Sequence, residues 1–432
     1  MKTDFKQKLL NLPVKRPGWL ARTFFHLWTS SECKKGGVTF TYEFDKKSIK
    51  NKPILFISTH ASRNDFFYTM GGLGRSDLNI VAGYQNFFAS PTNYFGMTLM
   101  HSIPKMLYQP DPSCTRKMLK VVKTGGSLAL FPEGIQSLSG STHPINPATC
   151  KFIKKAGLTV VLANAKGSYL SCPRYVRETK RGKVFVNYKI LFTPEELKAS
   201  TEEQIYQKLI QNFTYNDFEF NKTARIKYVG KSHNVVGLDN ILYVCPKCKQ
   251  IHTLKVHLEK GNERLECEKC GYAVTVNEYY DLVVKYGENY FENIDQWVKW
   301  QRRLVHAQVQ GDDFKLTGHG KVTKLRTDSW KKHPHNRIIL IDGDVVLDKT
   351  GLTVKNGDQT MFFDIAGLYS LTMATGKFLE FYHNEEYYTL VLDCPTNQLI
   401  EWMLVSEELH NTVDEKWQSA SNDVYDYDVK GE

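Results

Sequence analysis

Pro53-Ile54-Leu55-Phe56-Ile57-Ser58-Thr59-His60-Ala61-Ser62-Arg63-Asn64-Asp65 passes from a short apolar run straight into a polar one. A run of this length predicts a β-strand, and the polar residues that follow sit at its end, where they can face a cleft. Ser127-Leu128-Ala129-Leu130 followed by Phe131-Pro132-Glu133-Gly134 has the same form. Strand and helix signals alternate through the first half of the chain, which predicts an α/β layered domain. His60 is of the type that removes a proton from an alcohol near neutral pH. Asp65 can hold such a ring in one tautomer if a helix begins near Ser62, because five residues then span one turn and a fraction. Taken alone, the pair describes a solvated loop better than a catalytic pair.

The two blocks together, in this order, resemble the glycerolipid acyltransferase family of the 1-acylglycerol-3-phosphate type. That family carries Asn-His-x-Ser-x-x-Asp and then Phe-Pro-Glu-Gly-Thr-Arg-Ser. Here the first block reads Thr59-His60-Ala61-Ser62-Arg63-Asn64-Asp65 and the second Phe131-Pro132-Glu133-Gly134-Ile135-Gln136-Ser137. The resemblance covers roughly residues 35–230. It implies transfer of a fatty acyl group from an activated donor, such as acyl-CoA or an acyl carrier protein, to a hydroxyl of a lysophospholipid or glycerol-phosphate-type acceptor. His60 is then the general base and Asp65 its orienter. Ser62, Arg63, Phe131 and Pro132 contact substrate, and Glu133 with the Gly134 backbone shapes the acceptor pocket.

Departures fall on the groups with which the family holds a phosphate. Gln136 stands where the second block has an arginine, and a guanidinium fork is what suits a phosphate bidentately. The middle block is represented by Gly96 and then Ile103-Pro104-Lys105, and the fourth by Val160-Val161-Leu162, without its proline, before Lys166-Gly167. Lys105 and Lys166 are the remaining candidate cations for substrate, and each also reads as an ordinary surface lysine.

Charge divides unevenly along the chain. Residues 1–230 hold 34 Lys and Arg against 15 Asp and Glu, and the remainder 23 against 31. A basic catalytic half points to an anionic partner: anionic lipid at a membrane surface, coenzyme A phosphates or an acidic acyl carrier protein. No apolar stretch approaches the length of a membrane span, and the amino terminus lacks a secretory core. Membrane contact is therefore expected to be peripheral, at the inner face and on the cytoplasmic side. Residues 1–35 carry it as an amphipathic segment, with Trp19, Leu20, Phe24, Leu27 and Trp28 at helical spacing near Arg16 and Arg22.

Cys245-Pro246-Lys247-Cys248 and Cys267-Glu268-Lys269-Cys270-Gly271 are two Cys-x2-Cys knuckles. Four thiolates so spaced make a closed structural zinc site, predicting a ribbon. Lysines and glutamates alternate through it, so no nucleic acid is expected as a partner. The five other cysteines are scattered, as in a reducing compartment.

The expected organisation is a 1–35 amphipathic segment, a 36–235 acyltransferase domain, a 240–280 zinc ribbon, a 281–312 connecting helix, a 313–418 pleckstrin-homology-like β domain and a 419–432 disordered polar tail. In the β domain, Asp342-Gly343 and Asn356-Gly357 are read as turns and Asn397 to His410 as the helix that closes a small barrel. Thr193-Pro194-Glu195-Glu196 is a capping-box start for one helix running toward Gln211. The competing reading is a catalytically inactive scaffold that binds lipid, protein or nucleic acid.

Overall fold

The computed structural model describes residues 5–107, 109–327, 337–374, 378–425 and 427, with the side chains of 422 and 423 set aside. The expected tail therefore lies partly outside the described residues.

The first sheet has seven strands: β1 (Val38–Tyr42), β2 (Ile54–Ser58), β3 (Leu78–Gly83), β4 (Ile103–Lys105), β5 (Ser127–Leu130), β6 (Thr159–Lys166) and β7 (Val184–Phe192), in the order β1-β7-β6-β2-β5-β3-β4. Neighbours are parallel except β6 and β7. Helices cover both faces. Ile54 and Phe56 pack with Phe25 and Tyr68 on one side, and Leu55 and Ile57 pack with Met118, Ile153 and Leu209 on the other. Burial on both faces is why β2 is apolar without alternation. The pairing of Leu55 with Leu128 and of Ile57 with Leu130 ends β2 and β5 side by side, so the loops that follow them are neighbours at one edge of the sheet.

Thr193 does form its capping box with Glu196, but the helix it opens stops at Ala199, and a second runs from Glu202 to Phe213. Thr201 and Gln204 form another capping box, with Thr201 held extended, and this restart divides the expected single helix.

The ribbon is a four-stranded antiparallel sheet of β8 (Leu254–His257), β9 (Arg264–Cys267), β10 (Ala273–Val276) and β11 (Leu282–Tyr286), with Cys267 ending β9 and Cys245, Cys248 and Cys270 outside the strands. The ribbon thus extends past residue 280, because β11 pairs with β10. Helix Ile294–Val309, capped by Asn293, docks on it: the Trp297 indole donates to the Val244 carbonyl, and the Gln301 amide bonds Tyr243, Val244 and Ile241.

The last sheet has β12 (Lys315–Leu325), β13 (Arg337–Asp348), β14 (Gly351–Asn356), β15 (Gln359–Asp364), β16 (Thr372–Ala374), β17 (Phe378–His383) and β18 (Glu386–Leu392), in the order β15-β14-β13-β12-β18-β17-β16. No pairing joins its end strands β15 and β16 among the described residues, so the expected barrel is an open sheet, with helix Leu399–Asn411 packed against it. Asn356-Gly357 is a turn, with Gly357 at φ +56°. Asp342-Gly343 is not: β13 runs straight through it, and a Cβ on Gly343 would lie 2.1 Å from the Lys355 carbonyl oxygen. That glycine permits close strand approach. Glu415–Tyr425 is a further helix, with Trp417, Ala420 and Tyr425 buried, where the sequence reads as disordered beyond 418.

Candidate active site

β2 delivers His60 and β5 delivers Phe131 to the same cleft, outside the carboxyl ends of adjacent parallel strands, where α/β sheets bind ligands. The two rings lie 4.8 Å apart at 47°. Both line a cavity of about 2820 Å³ whose walls also include Arg63, Lys105, Pro132, Glu133 and Gly134. Gly134 has φ +74°, which closes the tight turn to the Phe131 carbonyl and suits a residue without a side chain.

The helix expected to begin near Ser62 begins at Asp65 (Asp65–Gly72), so bends and a turn over residues 61–64, not a helical turn, bring His60 and Asp65 close. The Asp65 carboxylate is fully buried and lies 3.8 Å from His60 Nδ1, a contact longer than a hydrogen bond. Its oxygens accept from Ser62 N–H at 2.7 Å, from Ser62 Oγ at 3.3 Å and from Ser168 Oγ. His60 Nδ1 makes no hydrogen bond among the described residues. The pair is thus brought together but not hydrogen-bonded, with the carboxylate held by two serines.

Glu133 is 1 % exposed and bonded inward. It accepts from the backbone N–H of His60 at 2.7 Å and of His143 at 2.8 Å, and from Tyr215 OH at 3.3 Å. Burial pushes its carboxyl up to about 8, against the pull of the two amides. Its visible work is to tie the loop after β2 to the loop after β5.

The remaining candidates separate. Lys105 lines the cavity beside Met106 and stands at the end of β4. Arg63 also lines it, with Nε on Cys172 Sγ at 3.0 Å and Nη2 on the Val176 carbonyl at 2.7 Å. Ser62 is buried beneath Asp65. Lys166 is exposed, lies over the Phe220 ring at 5.9 Å, and is not among the residues that line the His60 cavity.

Three participants carry no sequence signal. Ser168 reaches Asp65 because β6 lies beside β2 and Gly167, at φ +79°, turns the chain into helix Ser168–Ser171. Arg174 donates to the Gln136 carbonyl at 3.1 Å and to the Met373 carbonyl at 2.9 Å, bridging the loop after β5 and β16. The β domain itself supplies a wall: Leu325, Phe378, Tyr382 and Tyr387 line the same cavity.

The cysteine sulfurs of Cys245, Cys248, Cys267 and Cys270 all lie within 4.8 Å of one another, with two pairs at 3.7 Å. Sulfurs about 2.3 Å from a tetrahedral centre stand roughly 3.8 Å apart, so this donor set fits zinc.

Residues 39–163 match the family described as Acyltransferase. A chloroplastic 1-acyl-sn-glycerol-3-phosphate acyltransferase of Brassica napus is 29% identical over 155 residues, covering 34% of this chain and 44% of that protein. A second, from Arabidopsis thaliana, is 28% identical over 120 residues, 27% of this chain and 32% of its own length. The chain thus spans less than half the length of these curated relatives. The solved 1-acyl-sn-glycerophosphate acyltransferase PlsC of Thermotoga maritima overlays 44% of this chain and 75% of its own, at 16% identity and a TM-score of 0.38, too loose a likeness to inform the site. Residues 39–163 thus match an acyltransferase-family domain, and the curated relatives similar to this chain are 1-acyl-sn-glycerol-3-phosphate acyltransferases.

Proposed function

We propose that the protein is an O-acyltransferase that moves a fatty acyl group from a thioester-type donor to a hydroxyl of a lysophospholipid or glycerol-phosphate-type acceptor. The observation that carries this reading is the shared placement of His60 and the Phe131–Gly134 turn on one large, mainly apolar cavity. Neutral His60 takes the proton of the acceptor hydroxyl as its oxygen attacks the donor carbonyl carbon. The carbon–sulfur bond then breaks, and the departing thiolate takes the proton back from the imidazolium. Asp65 stabilises that imidazolium, and closing the 3.8 Å gap on substrate binding matches the way loose unliganded contacts tighten. Lys105 meets the acceptor's anionic group, and Arg63 is a second cation lining the same cavity.

Access is from a membrane surface. Helix Trp19–Lys35 buries Ala21, Phe25, Thr29 and Cys33 and leaves Trp19, Leu20, Phe24 and Leu27 about two-thirds exposed. Leu20, Phe24 and Leu27 border the His60 cavity together with exposed Phe95 and Leu99, so a lipid chain can pass from bilayer to site without crossing water. No helix among the described residues is long and apolar enough to cross a membrane. Docking is therefore peripheral, on a face carrying anionic lipid, and we place it on the cytoplasmic side. The four-cysteine site holds zinc as a structural ion, since all four positions are filled by protein.

One feature favours a scaffold that binds lipid without catalysis, namely the uncharged Gln136 in the second block. The two readings part when purified protein is incubated with mixed lysolipids and a labelled long-chain acyl thioester. Label in an extracted diacyl lipid supports the enzyme, and its absence with all donors supports the scaffold.

A further inference from the structure

We propose that the carboxy-terminal helix is part of the catalytic scaffold, with Tyr425 a positioning residue for His60 that acts through His143 and Glu133. The inference rests on the acyltransferase reading of His60. It starts from buried polar groups that this chemistry leaves unused.

The Glu133 carboxyl group holds two loops at once through the amides of His60 and His143. His143 is 5% exposed, and burial pushes its ring well below the usual imidazole range, so it is neutral. Nδ1 meets the Tyr425 hydroxyl at 3.0 Å, while Nε2 has no partner among the described residues. Without that hydroxyl neither ring nitrogen would be satisfied, and a buried imidazole with no hydrogen bond is driven toward water. The loop that moved with it would carry the His143 amide off Glu133.

Tyr425 is itself fixed. The Arg302 guanidinium lies over its ring at 4.2 Å and is held in turn by Glu407 at 2.6 Å and Glu408 at 2.9 Å. At the other end of the helix Trp417 packs on Tyr369 with centroids 4.4 Å apart, and Trp417 lines the His60 cavity. A continuous set of directional, buried contacts therefore runs from the connecting helix to the backbone nitrogen of His60. A fraction of an ångström at that nitrogen changes how the imidazole meets a substrate hydroxyl.

Tyr425→Phe in the full-length protein tests this, because it keeps the ring over Arg302 and removes only the hydroxyl. The expected result is a fall in kcat of about five- to tenfold, the rate equivalent of one lost hydrogen bond, with KM for donor and acceptor within about twofold and Tm nearly unchanged. In a His143→Ala background the same substitution should have no further effect. An unchanged kcat, or an effect confined to KM, overturns the proposal, as does a fall of the same size in the His143→Ala background. The kcat result decides alone if that background does not fold. His60→Ala run in parallel separates the two ideas: if it stays active, the assignment of the base fails, whereas if it is inactive and Tyr425→Phe is normal, only the role of Tyr425 fails.

Discussion

Asp65 shows what the sequence can and cannot say about one side chain. Its distance from His60 along the chain is local, so the pairing was open to a sequence reading, yet the helix starts at Asp65 and not near Ser62, and the two side chains approach across a bend. Its third partner, Ser168, is 103 residues away, and the link from His143 to Tyr425 spans 282. Contacts of that range depend on which strands become neighbours, and no local pattern encodes them. The motif singled out Glu133 but not its inward bonding, since a motif names a residue and leaves its direction open. Its titration gives a test. Burial raises the folded-state pKa from 4.5 to about 8, so the folded protein binds that proton more tightly than the unfolded chain. The stability this adds is fully present below pH 4.5 and is lost as pH rises through about 8. Thermal melts from about pH 5 to pH 8.5 should therefore show the wild type losing Tm relative to Glu133→Gln as pH rises. Parallel curves would show that Glu133 does not carry the shift. Asp217, raised to about 7 by burial, adds a slope common to both proteins and cancels in the comparison.

At the scale of elements, capping signals and turn signals did not transfer equally. Thr193 capped its helix because a capping box is a contact between residues three apart. Asp342-Gly343 failed as a turn because its glycine answers a neighbouring strand, which the local sequence does not contain. The helix Trp19–Lys35 was legible from its spacing, but Leu9 in the short helix before it packs against Tyr84 and Tyr382 and is not part of the exposed face. That face should matter for docking alone. Phe24→Glu with Leu27→Glu is predicted to lower partitioning onto anionic vesicles by at least about tenfold, since each side chain would otherwise bury apolar surface worth about 1.5–3 kcal/mol. Sedimentation with vesicles reads this directly, and unchanged partitioning would assign the face to another role.

Across the whole molecule the sequence suggests an order of segments but not the way they share one cavity. Composition and cysteine spacing separate the α/β domain, ribbon and β domain, yet one hydrophobic core runs from Ala61 through Trp297 to Leu409. The ribbon lies within that core, so metal loss should be felt beyond it. Metal analysis should return about one zinc per chain, and Cys267→Ser should lower that figure together with Tm. Full zinc content in that variant would mean the ligands are elsewhere. The β domain, expected as a separate module, supplies Tyr382 and Tyr387 to the cavity that holds His60. Every step of the proposed acyl transfer passes through that histidine acting as a base. Acyl transfer by His60→Ala, measured under saturating donor with Tm recorded alongside, is predicted to fall on the order of 100-fold or more while the fold is retained. Turnover within a few-fold of the wild type would contradict it.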